Sequence, residues 1–226
     1  MQRYSVFDII GPIMVGPSSS HTAGAVKLGQ IARALFDTTP EKVTFYLHGS
    51  FGIVYKGHAT DKALIAGIMK FKTSDPRIKD AFAYAKKKGI EYEFIVDDLG
   101  ISYHPNTVKM VLQKGNRKMK IIGSSIGGGN IVVRKIDEFE VDLTSAAGKS
   151  FSIMISHNDD INALSQVMNI LAEKKINVSN MQSTRILKGG KVLTIISLDK
   201  GLTLKEVLSM EKIKGIIFVR SLNKIA

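Results

Sequence analysis

The stretch GPSSSHTAGAVKLGQIARALF, residues 16–36, combines a helix start with a crowd of polar side chains. Its apolar residues recur at helical spacing: Ala23, Val26, Leu28, Ile31 and Leu35. This spacing predicts a helix from about Ser20 to Phe36. One hydroxyl suffices to cap a helix, yet four hydroxyls and an imidazole stand here. Because helix N-termini attract anions, the excess favours a carboxylate or phosphate site, with plain capping as the alternative.

The chain around this stretch alternates between predicted helices and strands up to about residue 106, and strands follow. Thr60 or Asp61 is expected to cap a second helix that runs to Met69. Asp75 and Pro76 open a third helix, which ends at Gly89. Period-two alternation and turn residues predict six strands, at residues 43–47, 92–96, 107–112, 119–122, 130–136 and 138–143.

A small polar segment at residues 144–149 is typical of a linker. After it, the pattern predicts strand, helix, two strands, helix and strand, at residues 151–155, 163–173, 178–185, 191–198, 204–210 and 215–221. That order is the βαββαβ arrangement of ferredoxin-like domains. The sequence therefore predicts an α+β protein with one domain over residues 1–146 and another over residues 150–226.

Composition excludes several function classes. The 226 residues are 44% hydrophobic and 23% charged, as in ordinary globular proteins. No apolar run is long enough for a membrane helix, and residues 1–16 do not have the pattern of a signal peptide, so we expect a cytoplasmic protein. There is no cysteine, which excludes disulfides, thiol catalysis and a thiolate-held metal or cluster within this chain.

The chain is basic, with 32 Lys and Arg against 20 Asp and Glu and a formal charge of +12. Nucleic-acid binding follows from charge alone, and no recognition motif supports it. An acidic small substrate and an acidic partner fit the charge equally well. We expect no nucleic-acid and no membrane partner.

Four of the five histidines lie at the edges of predicted elements, beside Gly, Ser, Thr or Pro: His21, His48, His58 and His104. Histidines at strand and helix ends often mark a cleft and can transfer protons near neutral pH. Their spacing matches no zinc motif, so we expect no metal held by this chain.

Two further stretches have more than one interpretation. Residues 123–129, GSSIGGG, form either a turn or bulge or a contact with a ligand or subunit. Residues 156–164, SHNDDINAL, join a strand to a helix, either as an ordinary capped turn or as a loop that holds an amino acid.

Several motifs stand in an order that resembles one family, the beta chains of bacterial iron–sulfur-dependent L-serine dehydratases. They are SVFDIIGP at 5–12, GPSSSHTAG at 16–24, HGS at 48–50, GHATD at 57–61, HPNT at 104–107 and SIGGG at 125–129. The resemblance covers essentially the whole chain. It implies an allosteric-substrate-binding fold for the first domain, which some phosphoglycerate dehydrogenases share, and an ACT domain for the second.

The resemblance implies a lyase of amino-acid catabolism and gluconeogenesis that converts L-serine to pyruvate and ammonia. A separate alpha chain would hold the 4Fe–4S cluster, as single-chain relatives fuse this segment to a cluster-binding domain. His21, His48 and His58 would transfer protons. The substrate-binding residues would be Ser18, Ser19, Ser20, Thr22, Ser50, Thr60 and Asp61.

For the second domain, the resemblance implies an allosteric amino-acid site and self-association. The site residues would be His157, Asn158, Asp160, Asn162, Ala163 and Asn180. ACT domains often carry Pro-Gly where this chain has Ile161 and Asn162, and Asn tolerates the left-handed conformation that such a loop needs. The alternative function is a non-catalytic, serine-sensing regulatory subunit.

Overall fold

A computed structural model describes residues 12–145 and 151–222. Residues 12–137 and 142–145 belong to one compact unit, and residues 138–141 and 151–222 to another. The predicted domain boundary near residue 147 lies outside the described residues, as do residues 5–11 of the first motif. In the part that the structure describes, no helix has the length and apolarity to cross a membrane.

The first unit is built on a six-stranded sheet in the order β2-β1-β3-β4-β5-β6, although residues 139–141 of the last strand are grouped with the second unit. Strand β2 pairs parallel with β1, and the pairings of β1 with β3, β3 with β4 and β4 with β5 are antiparallel. The strands are β1 Lys42–His48, β2 Glu91–Val96, β3 Thr107–Lys114, β4 Arg117–Gly127, β5 Asn130–Ile136 and β6 Phe139–Ser145.

A π-helical turn, Ser19–Ala23, leads into the first helix of this unit. The helices are α1 Gly24–Phe36, α2 Ser50–Val54, α3 Thr60–Ile68 and α4 Ala81–Lys87, the last preceded by a 3₁₀ turn, Pro76–Asp80. Helices α1 and α3 cross in direct backbone contact, because a methyl group on Gly67 would lie 2.7 Å from the Cα of Gly29. Helix α1 also packs on β4, where Leu28 fills the space above Gly123.

The strand register brings several chain segments to one end of the sheet. His48 at the end of β1 pairs with Thr107 at the start of β3, and Thr107 pairs with Ser124 in β4. Ser125 then pairs with Ile131 in β5. Since β4 and α3 both contact the π-helical turn, the polar stretch at residues 16–24 lies at this end of the sheet. We call it the site end of the sheet.

The predicted strands are confirmed, with β4 extending five residues beyond the prediction to Gly127. The predicted cap of α3 is wrong: the helix starts after Ala59, which adopts φ 55°, and no side chain caps it. Thr60 is instead fully buried in the first turn. Helix α2 was not predicted, because its five residues follow Gly49, whose φ of 56° turns the chain sharply after β1.

The second unit has the βαββαβ order that the sequence predicts. Its elements are β7 Phe151–Asn158, α5 Ala163–Glu173, β8 Val178–Arg185, β9 Lys191–Leu198, α6 Leu204–Glu211 and β10 Ile216–Leu222. The antiparallel sheet has the order β10-β7-β9-β8. Its core joins apolar side chains of both helices and of the inner strands, among them Ile153, Val167, Ile196, Val207 and Met210.

Candidate active site

Ser18 caps the π-helical turn, since its hydroxyl accepts a hydrogen bond from the His21 backbone N–H at 3.1 Å. The wide turn lets the N–H of Gly24 reach back to the carbonyl of Ser19. π-Helical geometry occurs mostly as a single turn inserted into an α-helix, and such turns are frequent at functional sites. Capping therefore accounts for one of the four hydroxyls in this stretch.

Serine hydroxyls contact both ring nitrogens of His21. Its Nδ1 lies 3.2 Å from the Oγ of Ser20, and its Nε2 lies 3.0 Å from the Oγ of Ser50 at the start of α2. A hydroxyl can donate or accept, so these two bonds fix the ring plane and remain possible in either neutral tautomer. The sharp turn at Gly49 is what brings Ser50 to the imidazole.

His58 lies beside His21, with ring centroids 4.9 Å apart and a tilt of 36°. The edge of Phe51 approaches His21 from another side, at 5.3 Å between centroids. Thr22 fixes the backbone at His58, because its hydroxyl donates to the His58 carbonyl at 3.0 Å. The Nδ1 of His58 is buried and has no hydrogen-bond partner among the described residues.

Burial and the neighbouring His58 both lower the pKa of His21. Desolvation disfavours the charged imidazolium, and the electrostatic effect of the neighbouring imidazole disfavours it further. His21 is therefore neutral at physiological pH. A neutral imidazole on a partly exposed turn can accept a proton from a bound molecule.

Two more predicted residues lie next to this pair. The hydroxyl of Thr60 is buried without a hydrogen-bond partner in the described part of the chain. Burial raises the pKa of Asp61, although the N–H of Lys62 donates to its carboxylate at 2.7 Å and opposes the shift. Both residues lie in the first turn of α3, which contacts the π-helical turn.

Ser125 is a polar residue of this region that the sequence left open between a turn and a contact. Its hydroxyl is fully buried and makes no hydrogen bond to any described residue. The side chain lies directly against Gly24, where any larger residue would collide with it. The signal in the sequence was the glycine at the start of α1, which leaves room for a serine from a distant strand.

His48 does not join the imidazole pair through any hydrogen bond that the structure records. Its Nδ1 accepts from the N–H of Leu99 at 3.1 Å and lies 3.4 Å from the carboxylate of Asp98. One nitrogen cannot accept the first bond and donate the second, and the shorter bond to Leu99 is favoured because Asp98 is largely exposed to water. His48 thus holds the 98–99 loop at the end of β1.

The second unit contains a cavity of about 320 Å³ at the loop that joins β7 to α5. Of the six predicted site residues, His157, Asp160 and Asn162 line it, whereas Asn158, Ala163 and Asn180 do not. Asn162 adopts φ 79°, the left-handed conformation expected there. Arg185 also lines the cavity, and the sequence analysis missed it. Its guanidinium binds Asp159 at 2.9 Å.

The family model that this chain matches and three known proteins similar to it carry the name serine dehydratase. Residues 5–92 match the family described as serine dehydratase beta chain. The chain is 42% identical over 219 residues to a probable L-serine dehydratase beta chain of Bacillus subtilis, covering 97% of this chain and 98% of that one. It is 38% identical over 204 residues to the L-serine dehydratase beta chain of Peptoniphilus asaccharolyticus, covering 90% of each. L-serine dehydratase 2 of Escherichia coli is 34% identical over 156 residues, 57% of this chain and 33% of that protein.

Proposed function

The chain belongs to the serine dehydratase beta chain family, and we propose that it works with a separate alpha chain to convert L-serine into pyruvate and ammonia. Two relatives that it matches along most of their length carry the name beta chain, which supports a partner subunit. The Escherichia coli relative, of which it matches only a third, supports the idea that one longer chain can contain both parts.

The residues of this chain do not fit a 4Fe–4S cluster. The sequence has no cysteine, and the described residues include no group of three or more His, Asp or Glu side chains placed to hold a metal ion. Thiolates are the usual ligands of such clusters. We therefore assign the cluster to the alpha chain, and the steps below use only side chains of this chain.

We assign substrate binding to the polar start of α1. The hydroxyls of Ser18 and Ser20 lie 3.3 Å apart beside the N-terminal N–H groups of the π-helical turn. Such N–H groups and hydroxyls are suited to a carboxylate, which every amino-acid substrate carries. Ser19 and Asp61 keep their proposed roles around the same turn. Thr22 and Thr60 are buried, and the Thr22 hydroxyl donates to the His58 carbonyl, so we do not assign either of them to the substrate.

We assign the removal of the α-proton of serine to His21. The observation that carries this assignment is the imidazole held between the hydroxyls of Ser20 and Ser50, next to the Nδ1 of His58, which has no hydrogen-bond partner among the described residues. A positioned base of this kind is what the loss of water from serine requires, since the α-C–H is weakly acidic. His58 is the second imidazole of the site. The role of His48 in proton transfer rests on the family resemblance.

The experiment that tests this assignment is His21→Gln in the complex with the alpha chain. We expect kcat to fall by about 10²-fold, the usual scale for removing a general base. Binding to the alpha chain should persist, because His21 is partly exposed and outside the core. His104→Gln is the matched control, since His104 is exposed and its Nδ1 accepts from the local Asn106 N–H, two residues along the chain. Equal turnover of both variants would refute the assignment.

A non-catalytic, serine-sensing subunit is the second candidate. It is favoured by the hydrogen bonds that already engage both nitrogens of His21 and by the cavity of the second unit. We infer that this unit is an ACT-type module, supported by its βαββαβ order and the left-handed Asn162 beside the cavity. Amino-acid sensing by the second unit is compatible with catalysis in the first. The turnover of His21→Gln therefore separates the two functions, whereas amino-acid binding by the second unit does not.

A further inference from the structure

Large apolar side chains are exposed at the site end of the sheet. We call them the apolar rim: Ile53, Val96, Ile101 and Ile126. Ile53 is 81% exposed, Val96 62%, and Ile101 fully exposed. Single exposed apolar residues are normal on a protein surface. Several at one end of a sheet, next to a polar site, are typical of a surface that another protein covers.

Each member of the apolar rim is tied to a residue of the site. Ile53 lies on α2, three residues after Ser50, which contacts His21. Val96 ends β2 opposite Leu47, and a methyl group on Gly52 would lie 2.9 Å from its Cγ1, so α2 rests against the end of β2.

The other two members flank the same end. Ile101 follows the loop that His48 holds through the Leu99 N–H. Ile126 directly follows Ser125, the buried serine that lies against Gly24. The apolar rim therefore borders the start of α1, His21 and His48.

We propose that the apolar rim is the docking surface for the cluster-bearing alpha chain. The proposal rests on the proposed function, in which this chain supplies imidazoles and hydroxyls and its partner supplies the cluster. Reaction at His21 requires the partner to reach the site end of the sheet, so the contact falls on the residues that border the site. Covering apolar side chains there also excludes water from the reacting groups.

The test uses charged substitutions in the full chain. Ile53→Asp, Ile53→Lys and Ile101→Asp place either sign of charge on the apolar rim, at positions exposed enough to leave folding intact. Leu187→Asp is the matched control, because Leu187 is 72% exposed but belongs to the second unit. Affinity for the purified alpha chain is measured anaerobically by titration calorimetry, and the thermal midpoint of each isolated variant checks its fold.

We expect the three rim variants to bind the alpha chain at least about ten-fold more weakly, as for a central interface residue, and Leu187→Asp to bind normally. Turnover of the rim variants should recover when the alpha chain is added in excess, whereas that of His21→Gln should not. Unchanged affinity of the rim variants would overturn the proposal. Loss of self-association of this chain without loss of alpha-chain binding would also overturn it, and would assign the surface to a second copy.

The two proposals fail in different ways. If His21→Gln keeps full turnover while Ile53→Asp weakens association, the catalytic assignment is wrong and the docking surface stands. If His21→Gln loses turnover while every rim variant binds normally, the docking surface is wrong and the catalytic assignment stands.

Discussion

Ser20 and Ser50 hold the imidazole of His21 from both of its ring nitrogens, and they come from different elements. Ser20 belongs to the π-helical turn, and Ser50 starts α2 after the sharp turn at Gly49. Because neither hydroxyl is charged, neither stabilises the imidazolium as a carboxylate would. The two hydroxyls therefore position the ring, whereas burial and His58 shift its pKa.

This arrangement predicts a pH dependence. The pKa of His21 is lowered by burial and by His58, so the acid limb of kcat/KM should lie below the ordinary histidine value of about 6.5. In His58→Gln the neighbouring imidazole, whose electrostatic effect lowers the pKa of His21, is removed. Protonation of His21 then becomes easier, its pKa rises, and the acid limb should move to higher pH. The measurement is the pH profile of the reconstituted complex. A limb that stays in place or moves to lower pH would contradict the coupling of the two rings.

The sequence predicted which residue types form the site, but it did not predict which of these residues contact one another. Three serines and His21 in one stretch exceed what a helix cap needs, and this excess is visible without a structure. The pairing of His21 with His58 and Ser50 is not visible, because it depends on the register of β1 and on a five-residue helix. The positions of the histidines at element edges and the family resemblance grouped His48 with them, whereas its recorded bond is to the Leu99 N–H.

At the scale of elements, the α1–α3 crossing fixes where the polar turn lies. Gly29 and Gly67 allow the two helices to meet backbone to backbone, which places the start of α1 beside the start of α3. Helical periodicity predicted both helices but not their crossing, since periodicity reports which face is buried and not what it packs against. The predicted cap of α3 was wrong for a related reason. Packing buries the side chain of Thr60, and Ala59 adopts the left-handed conformation that precedes the helix.

Gly67→Ala should destabilise the first unit. The added methyl group would lie 2.7 Å from the Cα of Gly29 and would collide with the carbonyl of Val26, so the helices must move apart. We expect a loss of about 1–3 kcal/mol in the free energy of unfolding, the range for overpacking a core. The measurement is urea unfolding of the full chain followed by circular dichroism.

The control for this substitution is Gly57→Ala. Its added methyl group would meet only the Val54 carbonyl, at 3.7 Å, which is ordinary contact. We expect the midpoint of Gly57→Ala to equal that of the wild type. If Gly67→Ala also unfolds at the wild-type midpoint, the close crossing is not a structural constraint.

At the scale of the whole molecule, the two units differ in the polar features that they contain. The first carries the imidazole pair, and the second carries a cavity whose lining includes Arg185. The sequence predicted the order of elements in the second unit and the loop beside the cavity. It did not reveal Arg185, because that residue ends β8, which is separated from β7 by β9, and it reaches Asp159 only through the order of the strands in the sheet.

The position of Arg185 leads to a prediction about amino-acid binding by the second unit. Its guanidinium pairs with Asp159, whose pKa is held low by the Gly189 N–H and by Arg185 itself. The carboxylate of a ligand would compete with Asp159 for the same guanidinium. We expect calorimetric titration of the full chain with L-serine to give a millimolar Kd, on the order of 4 kcal/mol. Arg185→Leu should weaken binding by about ten-fold or more.

Arg77→Leu is the matched control, since Arg77 also pairs with an aspartate, Asp75, but lies in the first unit. It should bind L-serine as the wild type does. Absence of binding heat with L-serine and with other amino acids would show that the second unit serves assembly and not sensing.

The central claim is that this chain supplies catalytic groups to a cluster held by another chain. The most direct measurement is the anaerobic dehydratase turnover of purified, iron-loaded alpha chain, alone and with one equivalent of this chain. We predict negligible turnover for the alpha chain alone, full turnover on addition of the wild-type chain, and no comparable recovery with His21→Gln. Full turnover by the alpha chain alone, or a stoichiometric iron–sulfur cluster on this chain alone, would contradict the account.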